Sequence, residues 1–555
     1  MNKKTCFYFL LILAAIGCSK KPSNVVTPPP VVVVPPNDQH VSVYTQRNNN
    51  TRAGLNNRET KLTTANVNST SFGKLFTLDV DDQVYAQPLV VGSVSISGKS
   101  HNVVYVATVN NSVYAFDGDD GTLYWHKNFS ASGMRAPKNT DMTGACGGGY
   151  QDFSGNIGIV GTPVIDSASQ VMYFVARSTN SGGTTFVQYL HAVNITTGSE
   201  RSGSPVLIAA NAPGTGDGSS GGKVFFDPQR NNQRQALTLV NGMVYVTFSS
   251  HCDWGPYHGW ILGYNASSLA QQVVYNDTPD GGDGGIWESG NGMAADNLGN
   301  LYLVTGNGTV GVGSDPTNTR NRGESALKMT ISGSSLKTES YFTPTNFQDL
   351  ENNDLDYGVS GALLIPNSNF YFTAAKDGNI YLLNKDNMGG YSSAGNQVQQ
   401  NIALNGNANM HCQPAYYKGS ATEYVYVWSE NDELHAFPFN RTSNKFDAGS
   451  QKVSNLPGPL GQNGAMLSVS SNGTKDGTGI LWAAYAASGD AEHSSNPGIL
   501  RAFDANDVSK ELWNSGKSSA DNPGNYAKFA TPTIADGHVY LPTFSNKVVV
   551  YGIKQ

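Results

Sequence analysis

The richest chemistry in the chain lies in one short run, Ser250-His251-Cys252-Asp253-Trp254-Gly255-Pro256-Tyr257-His258. Two imidazoles, a thiol and a carboxylate so close together suit transition-metal ligation or proton transfer. The spacing follows no zinc-site pattern. The plain alternative is a long loop, stiffened by Gly255 and Pro256, whose Asp253 and histidines hydrogen-bond among themselves. Trp287-Glu288 is a second centre, where a carboxylate turned inward would bind a cation or serve as a base, unless it is a solvated loop residue paired with a nearby Lys or Arg. In Gly489-Asp490-Ala491-Glu492-His493, Asp490 and His493 have the makings of a base and its orienting partner. The residues expected in catalysis are therefore His251, Asp253, His258, Glu288, Asp490 and His493, with Glu288 also the expected metal ligand. Cys146 and Cys252 form a possible disulfide, which leaves Cys412 as an odd thiol in the body of the chain. The glycine-rich stretches 214–218 and 281–285 look like phosphate cradles only in glycine content; with no helix after them they read as turns.

These residues need a scaffold, and the chain repeats one. In Val103-Val104-Tyr105-Val106-Ala107-Thr108 a strand is followed by an Asn-containing turn, a second strand Ser112–Asp117, a Gly-Asp-Asp-Gly turn and Thr122-Leu123-Tyr124-Trp125. The same cadence returns around Met172–Val175, Val244–Thr247, Leu301–Val304, Phe370–Phe372, Tyr424–Trp428, Ile480–Trp482 and Val539–Leu541, making eight copies. Each opens with an apolar strand, such as Gly161-Thr162-Pro163-Val164-Ile165, and a fourth strand usually follows. The last copy lacks its fourth, which Phe72–Leu78 is placed to supply. Units of this kind, recurring at about 40–60 residues, bury both faces against neighbours and match an all-β, eight-bladed β-propeller of four-stranded antiparallel blades. A pair of β-sandwiches explains neither the eight similar units nor the incomplete last one. With strands A to D running outward from the axis, the B-to-C and D-to-A connections share one face. His251, Asp253, His258, Glu288, His411, Asp490 and His493 all lie in such connections, so they are expected on one loop-rich end, facing a shared cleft.

The run Val104-Tyr105-Val106…Val113-Tyr114-Ala115-Phe116-Asp117…Asp120-Gly121-Thr122-Leu123-Tyr124-Trp125, echoed by Arg501-Ala502-Phe503-Asp504…Glu511-Leu512-Trp513, resembles the repeat of pyrroloquinoline-quinone-type (PQQ-type) propellers. That family contains quinoprotein alcohol dehydrogenases and a non-enzymatic barrel-assembly lipoprotein. The lead-in Arg47-Asn48-Asn49-Asn50-Thr51-Arg52-Ala53-Gly54 is similar to the segment before the quinoprotein dehydrogenase propeller. For a dehydrogenase the resemblance implies PQQ and Ca²⁺ near the channel; no motif places the ion's ligands, and position alone makes Trp287 and His411 the expected cofactor-binding residues and puts Glu288 or Asp490 near the ion. The two adjacent cysteines that form a ring over the quinone in that family are missing, and so is a Cys-x-x-Cys-His haem motif. The foremost expectation is therefore a propeller that binds a partner protein, glycan or small ligand on its loop-rich face. A PQQ- and Ca²⁺-dependent dehydrogenase of alcohols or sugars is the alternative, and an extracellular carbohydrate-active enzyme using a His/Asp/Glu rim is a third.

Met1–Lys4 and the apolar stretch Phe7–Ile16, ending in Ala15-Ile16-Gly17-Cys18, read as a lipoprotein signal peptide over residues 1–17 with Cys18 lipidated. Residues 18–42 form a Pro/Val-rich tether, and 43–555 the propeller. The expected location is the bacterial cell envelope, in the outer membrane, held by lipid alone. A net charge of −7 leaves no basic surface for a phosphate backbone, which argues against nucleic-acid binding.

Overall fold

The computed structural model describes Met1, residues 40–404 and residues 408–554. Cys18 and nearly all of the expected leader and tether lie outside the described residues.

Each copy of the repeat is a twisted antiparallel sheet, as blade 1 illustrates: Leu89–Ile96, Lys99–Ala107, Ser112–Asp117 and Leu123–Asn128 pair in that order. Blades 2 to 8 open with the first strands Val164–Asp166, Thr238–Val240, Ala294–Ala295, Leu363–Leu364, Ala415–Lys418, Met466–Ser470 and Thr533–Ala535. First strands of most neighbouring blades touch one another around the axis, among them those of blades 8 and 1. The result is an eight-bladed β-propeller with one short α-helix, Phe347–Asn352, among the described residues.

The strand pattern follows from burial on both faces. Side chains alternate with period two, so Val103 and Tyr105 pack toward blade 2 while Val104 and Val106 pack toward blade 8. Likewise Leu481 and Ala483 face blade 6, whereas Ile480 and Trp482 face blade 8. Every blade-to-blade interface has its own apolar cluster, so the core is divided around the ring.

Blade 8 supplies Thr533–Ala535, His538–Pro542 and Lys547–Ile553, and Phe72–Asp79 completes it, pairing from Phe72 opposite Ile553 to Asp79 opposite Lys547. The unpaired edge that the last copy would otherwise expose is thereby covered.

The lead-in 41–56 does something that its lack of pattern hid. It runs as a belt along the inner strands and bonds to each blade in turn: Val43 N to Val90 O (2.7 Å), Ile165 N to Tyr44 O (2.8 Å), Asn50 Nδ2 to Leu239 O (2.8 Å) and Ala295 N to Asn50 O (2.7 Å). It continues with Leu364 N to Thr51 O (2.8 Å), Tyr416 N to Ala53 O (2.8 Å), Val469 N to Gly54 O (2.7 Å) and Asn56 Nδ2 to Ile534 O (2.7 Å). Arg52 is wholly buried and spends its donors on Met293 O (3.2 Å), Gln46 O (2.8 Å), Thr45 Oγ1 (2.9 Å) and Thr238 Oγ1 (2.7 Å). Gly54 must be glycine, since its φ is +67° and a Cβ there would sit 2.5 Å from Arg47 Nη2.

Candidate functional site

A cavity of about 210 Å³ opens on the loop-rich face. Its walls come from every D-to-A connection between blades 1 and 8, from Cys146, Tyr150 and Asp152 at one end of that series to Lys528 and Phe529 at the other. The B-to-C loops of blades 3, 5 and 7 add Asp253, Lys376 and His493. Elements so far apart in sequence meet only because a closed ring turns both classes of connection to one end and the long loops lean inward.

Trp287 lines the cavity beside His411, ring centroids 5.6 Å apart, and meets Phe529 edge-on at 6.0 Å. Cys146, from the connection before blade 2, and Cys252, from the B-to-C loop of blade 3, are joined in a disulfide that lines the same wall. Both cysteines have left-handed backbone, φ 47° and 52°, as do Asp253 (43°), Glu288 (43°) and Phe529 (65°). Such conformations cost energy in non-glycine residues and gather where a site must be shaped.

The charged groups are mostly paired. Lys376 Nζ lies 2.9 Å from Asp354 Oδ1 and 2.6 Å from Asp356 Oδ2. Burial disfavours its charge, but the two carboxylates prevail and hold the ammonium above the usual lysine range. Asp356, also bonded by Asn307 N (2.8 Å), stays below the usual carboxylate range, because Lys376 outweighs its burial. His411 Nδ1 is 2.6 Å from Glu430 Oε1, and His493 Nδ1 is 3.2 Å from Asp152 Oδ1.

Asp253 is exposed at the cavity surface. Desolvation by the protein packed around it, and then the nearby Asp356 charge, push it up to about 6, against the opposing bond from Tyr257 Oη (2.7 Å). Arg234 lays its guanidinium carbon 4.0 Å from the centre of the Phe529 ring, and its Nε and Nη2 have no hydrogen-bond partner among the described residues. Lys528 is 3% exposed and donates to Glu492 O; burial, and then Arg234, lower it to about 7.

Of the residues singled out in the sequence, Asp253, His411, His493 and Trp287 line this cavity. The other four do not, and the shared cleft expected for the whole set is corrected accordingly. His251 is fully buried, with Nδ1 2.8 Å from Tyr150 Oη and Arg177 donating to Nε2. Burial and the cations Arg177 and Arg234 keep its pKa well below the ordinary histidine value, so it is a neutral packing group. His258 is buried against Asp217 O (2.9 Å) and Thr278 Oγ1 (3.1 Å). Glu288 points away from the cavity, accepts from Val304 N (2.7 Å) and is pushed up to about 8 by burial. The base and ion ligand expected at the channel is thus held against Val304 N and does not line the cavity. Asp490 is exposed and accepts from the backbone of Glu492 (2.8 Å) and Gln462 (3.1 Å), a loop-capping role. It is His493 with Asp152, not with Asp490, that forms a pair. Arg234, Lys376, Lys528, Asp354, Asp356 and Phe529 escaped the sequence reading. Their one signal was membership of the same two classes of connection, which ordinary polar loop residues share.

No protein-family model matches the chain, and no curated protein does. Solved structures do. A quinohemoprotein alcohol dehydrogenase of Pseudomonas putida HK5 is 14% identical, over 92% of this chain and 80% of its own, with a TM-score of 0.54. The quinohemoprotein alcohol dehydrogenase of Comamonas testosteroni is 13% identical over 92% and 80%, with a TM-score of 0.56. A europium-containing methanol dehydrogenase is 11% identical over 93% of this chain and 98% of its own, with a TM-score of 0.58. At these identities the likeness is one of fold: the chain has the eight-bladed propeller of the PQQ-type dehydrogenases.

Proposed function

We propose that the protein is an exported, lipid-anchored dehydrogenase of alcohols or sugars whose axial cavity holds a cofactor of the pyrroloquinoline-quinone class. The observation that carries this reading is the juxtaposition, in one cavity, of the Trp287 ring and the Cys146–Cys252 disulfide with an Arg234 guanidinium that has unused donors. A flat polarizable wall beside a free planar cation suits a flat molecule bearing carboxylates. The fold neighbours, named as alcohol and methanol dehydrogenases, are consistent with it.

When bound, such a quinone supplies a two-electron acceptor. The chain's own residues do the rest. Trp287 offers a ring face, Arg234 anchors a carboxylate, the inward loops restrict water, and Asp253 takes a proton above about pH 6. The accompanying Ca²⁺ fits less well. Asp354 and Asp356 already share the Lys376 ammonium, which occupies the space between them and offsets one of their two charges. Among the described residues, the acidic and imidazole group close enough to share an ion is Asp432, Glu433 and His435, which does not line the cavity. No step is therefore assigned to a metal here.

That mismatch favours a second reading, in which the same cavity binds a small anion or glycan, or its rim a partner protein, without oxidation. One experiment separates the two. Quinone is added to the purified protein with and without Ca²⁺, and tryptophan fluorescence, visible absorption and dye-linked oxidation of alcohols and sugars are followed. The dehydrogenase reading expects binding that Trp287→Ala and Arg234→Gln each weaken at least about tenfold, and turnover that rises through about pH 6 and is lost in Asp253→Asn. Binding without turnover supports the second reading. Absence of quinone binding refutes the first.

A further inference from the structure

The cavity's basic groups are unequally employed. Lys376 is held between two aspartates, His411 by Glu430 and His493 by Asp152. Arg234 lies on the Phe529 ring with donors to spare. Lys528, next in sequence to Phe529, remains. It is 3% exposed, lines the cavity, and its amine donates to the backbone oxygen of Glu492, with no carboxylate at ion-pair distance among the described residues. A buried ammonium with no counter-ion in contact and a guanidinium close by is poised to release its proton. The negative charges of Asp152, Glu492 and Asp490 act on it from further away and only partly restore it, leaving it at about 7. An ordinary lysine keeps all but about one in 2,500 of its amines protonated at pH 7, so a half-neutral amine in a ligand cavity is an unusual nucleophile.

We propose that Lys528 is a carbonyl-reactive group, condensing with the aldehyde or ketone carbon of a small carboxylate-bearing ligand whose anion rests on Arg234. The inference depends on the cavity being a ligand site, as in the preceding reading, but not on a quinone. In the step the Nζ lone pair attacks the carbonyl carbon and a C–N bond forms. The C–O bond then breaks, and the oxygen leaves as water with the two amine hydrogens, giving an imine. No electrons are gained or lost, so no oxidant or reductant is needed. Arg234 fixes the carboxylate, the Phe529 ring lines the same cavity, and the proton reaches the leaving oxygen from water admitted to the cavity.

The test treats the full-length protein, without quinone, with 4-carboxybenzaldehyde and cyanoborohydride at pH 7, and maps the labelled lysines by peptide mass spectrometry. Benzaldehyde is the control without the anion. Lys528 is expected to be labelled at least about tenfold faster than any other lysine, faster by the carboxylated probe than by benzaldehyde, and Arg234→Gln is expected to erase that preference. Lys528→Arg, which keeps the charge, should abolish the adduct. Labelling spread over surface lysines, or an unmodified Lys528 in the wild-type map, overturns the proposal whether or not the variants fold. Because the two experiments use the same protein, quinone binding without Lys528 labelling removes only this inference. Selective labelling without quinone binding removes only the dehydrogenase reading.

Discussion

Replacing Phe72 with alanine should open the ring at its seam. Phe72 begins the strand that closes blade 8, and it is wholly buried, its ring 5.4 Å from that of Trp482 and 5.0 Å from that of Trp513. It therefore bridges blades 7 and 8 as well as starting the seam. Truncating a buried Phe costs about 3–5 kcal/mol in transfer and cavity terms, and the two aromatic contacts place this site toward the upper end. Leu75 is an internal control. It sits at the irregularity of the same strand, between Lys74 and Phe76, and is 37% exposed. Leu75→Ala should therefore cost less than about 1 kcal/mol. Urea and thermal unfolding, followed by tryptophan fluorescence, compare the two variants with the parent. The reasoning predicts a large loss for Phe72→Ala, a lower yield of soluble protein from the uncovered strand edge, and near-parent behaviour for Leu75→Ala. Equal shifts in the two variants, or a Phe72→Ala cost under about 1 kcal/mol, would refute the claim that the seam holds the ring.

Two other outcomes can be measured. Burial raises the Glu288 carboxyl from the ordinary value of 4.5 to about 8, so its contribution to stability is complete below about pH 4.5 and is lost as pH rises through 8. Relative to the parent, Glu288→Gln should therefore gain about 1.4 kcal/mol per pH unit between pH 5.5 and 7.5; a parent-to-variant difference that does not change with pH in urea melts would contradict the assignment. For the anchor, Cys18→Ser should move the protein from the membrane fraction to the soluble fraction of a suitable host, and unchanged partitioning would end the lipoprotein reading.

The propeller was legible because its cause is local. A strand such as Val103–Ala107, apolar at both odd and even positions, must have both faces covered. Eight such strand pairs joined by short turns leave few arrangements other than a ring. The loop-rich face was legible for a related reason: antiparallel order alone decides which connections emerge together. The belt over 41–56, which includes Arg47–Gly54, was less so. Its likeness to a known lead-in was visible, but residues that bond one by one to eight different strands follow no period, and their partners lie up to several hundred positions away.

The site divides the same way. The sequence by itself determined which loops would meet and that they would bring Trp287, His411, His493 and Asp253 to the cavity end. Only the tertiary structure decided which side chains turn into the cavity, because that rests on backbone conformations and buried partners with no local signature. Left-handed φ values turn the loop at Cys252 and Asp253. Tyr150 and Arg177 draw His251 into the protein. Val304 N takes the Glu288 carboxylate away from the cavity. Arg234 and Lys528 reach one cavity from connections far apart around the ring, and that shared lining is a property of the closed circle rather than of either loop.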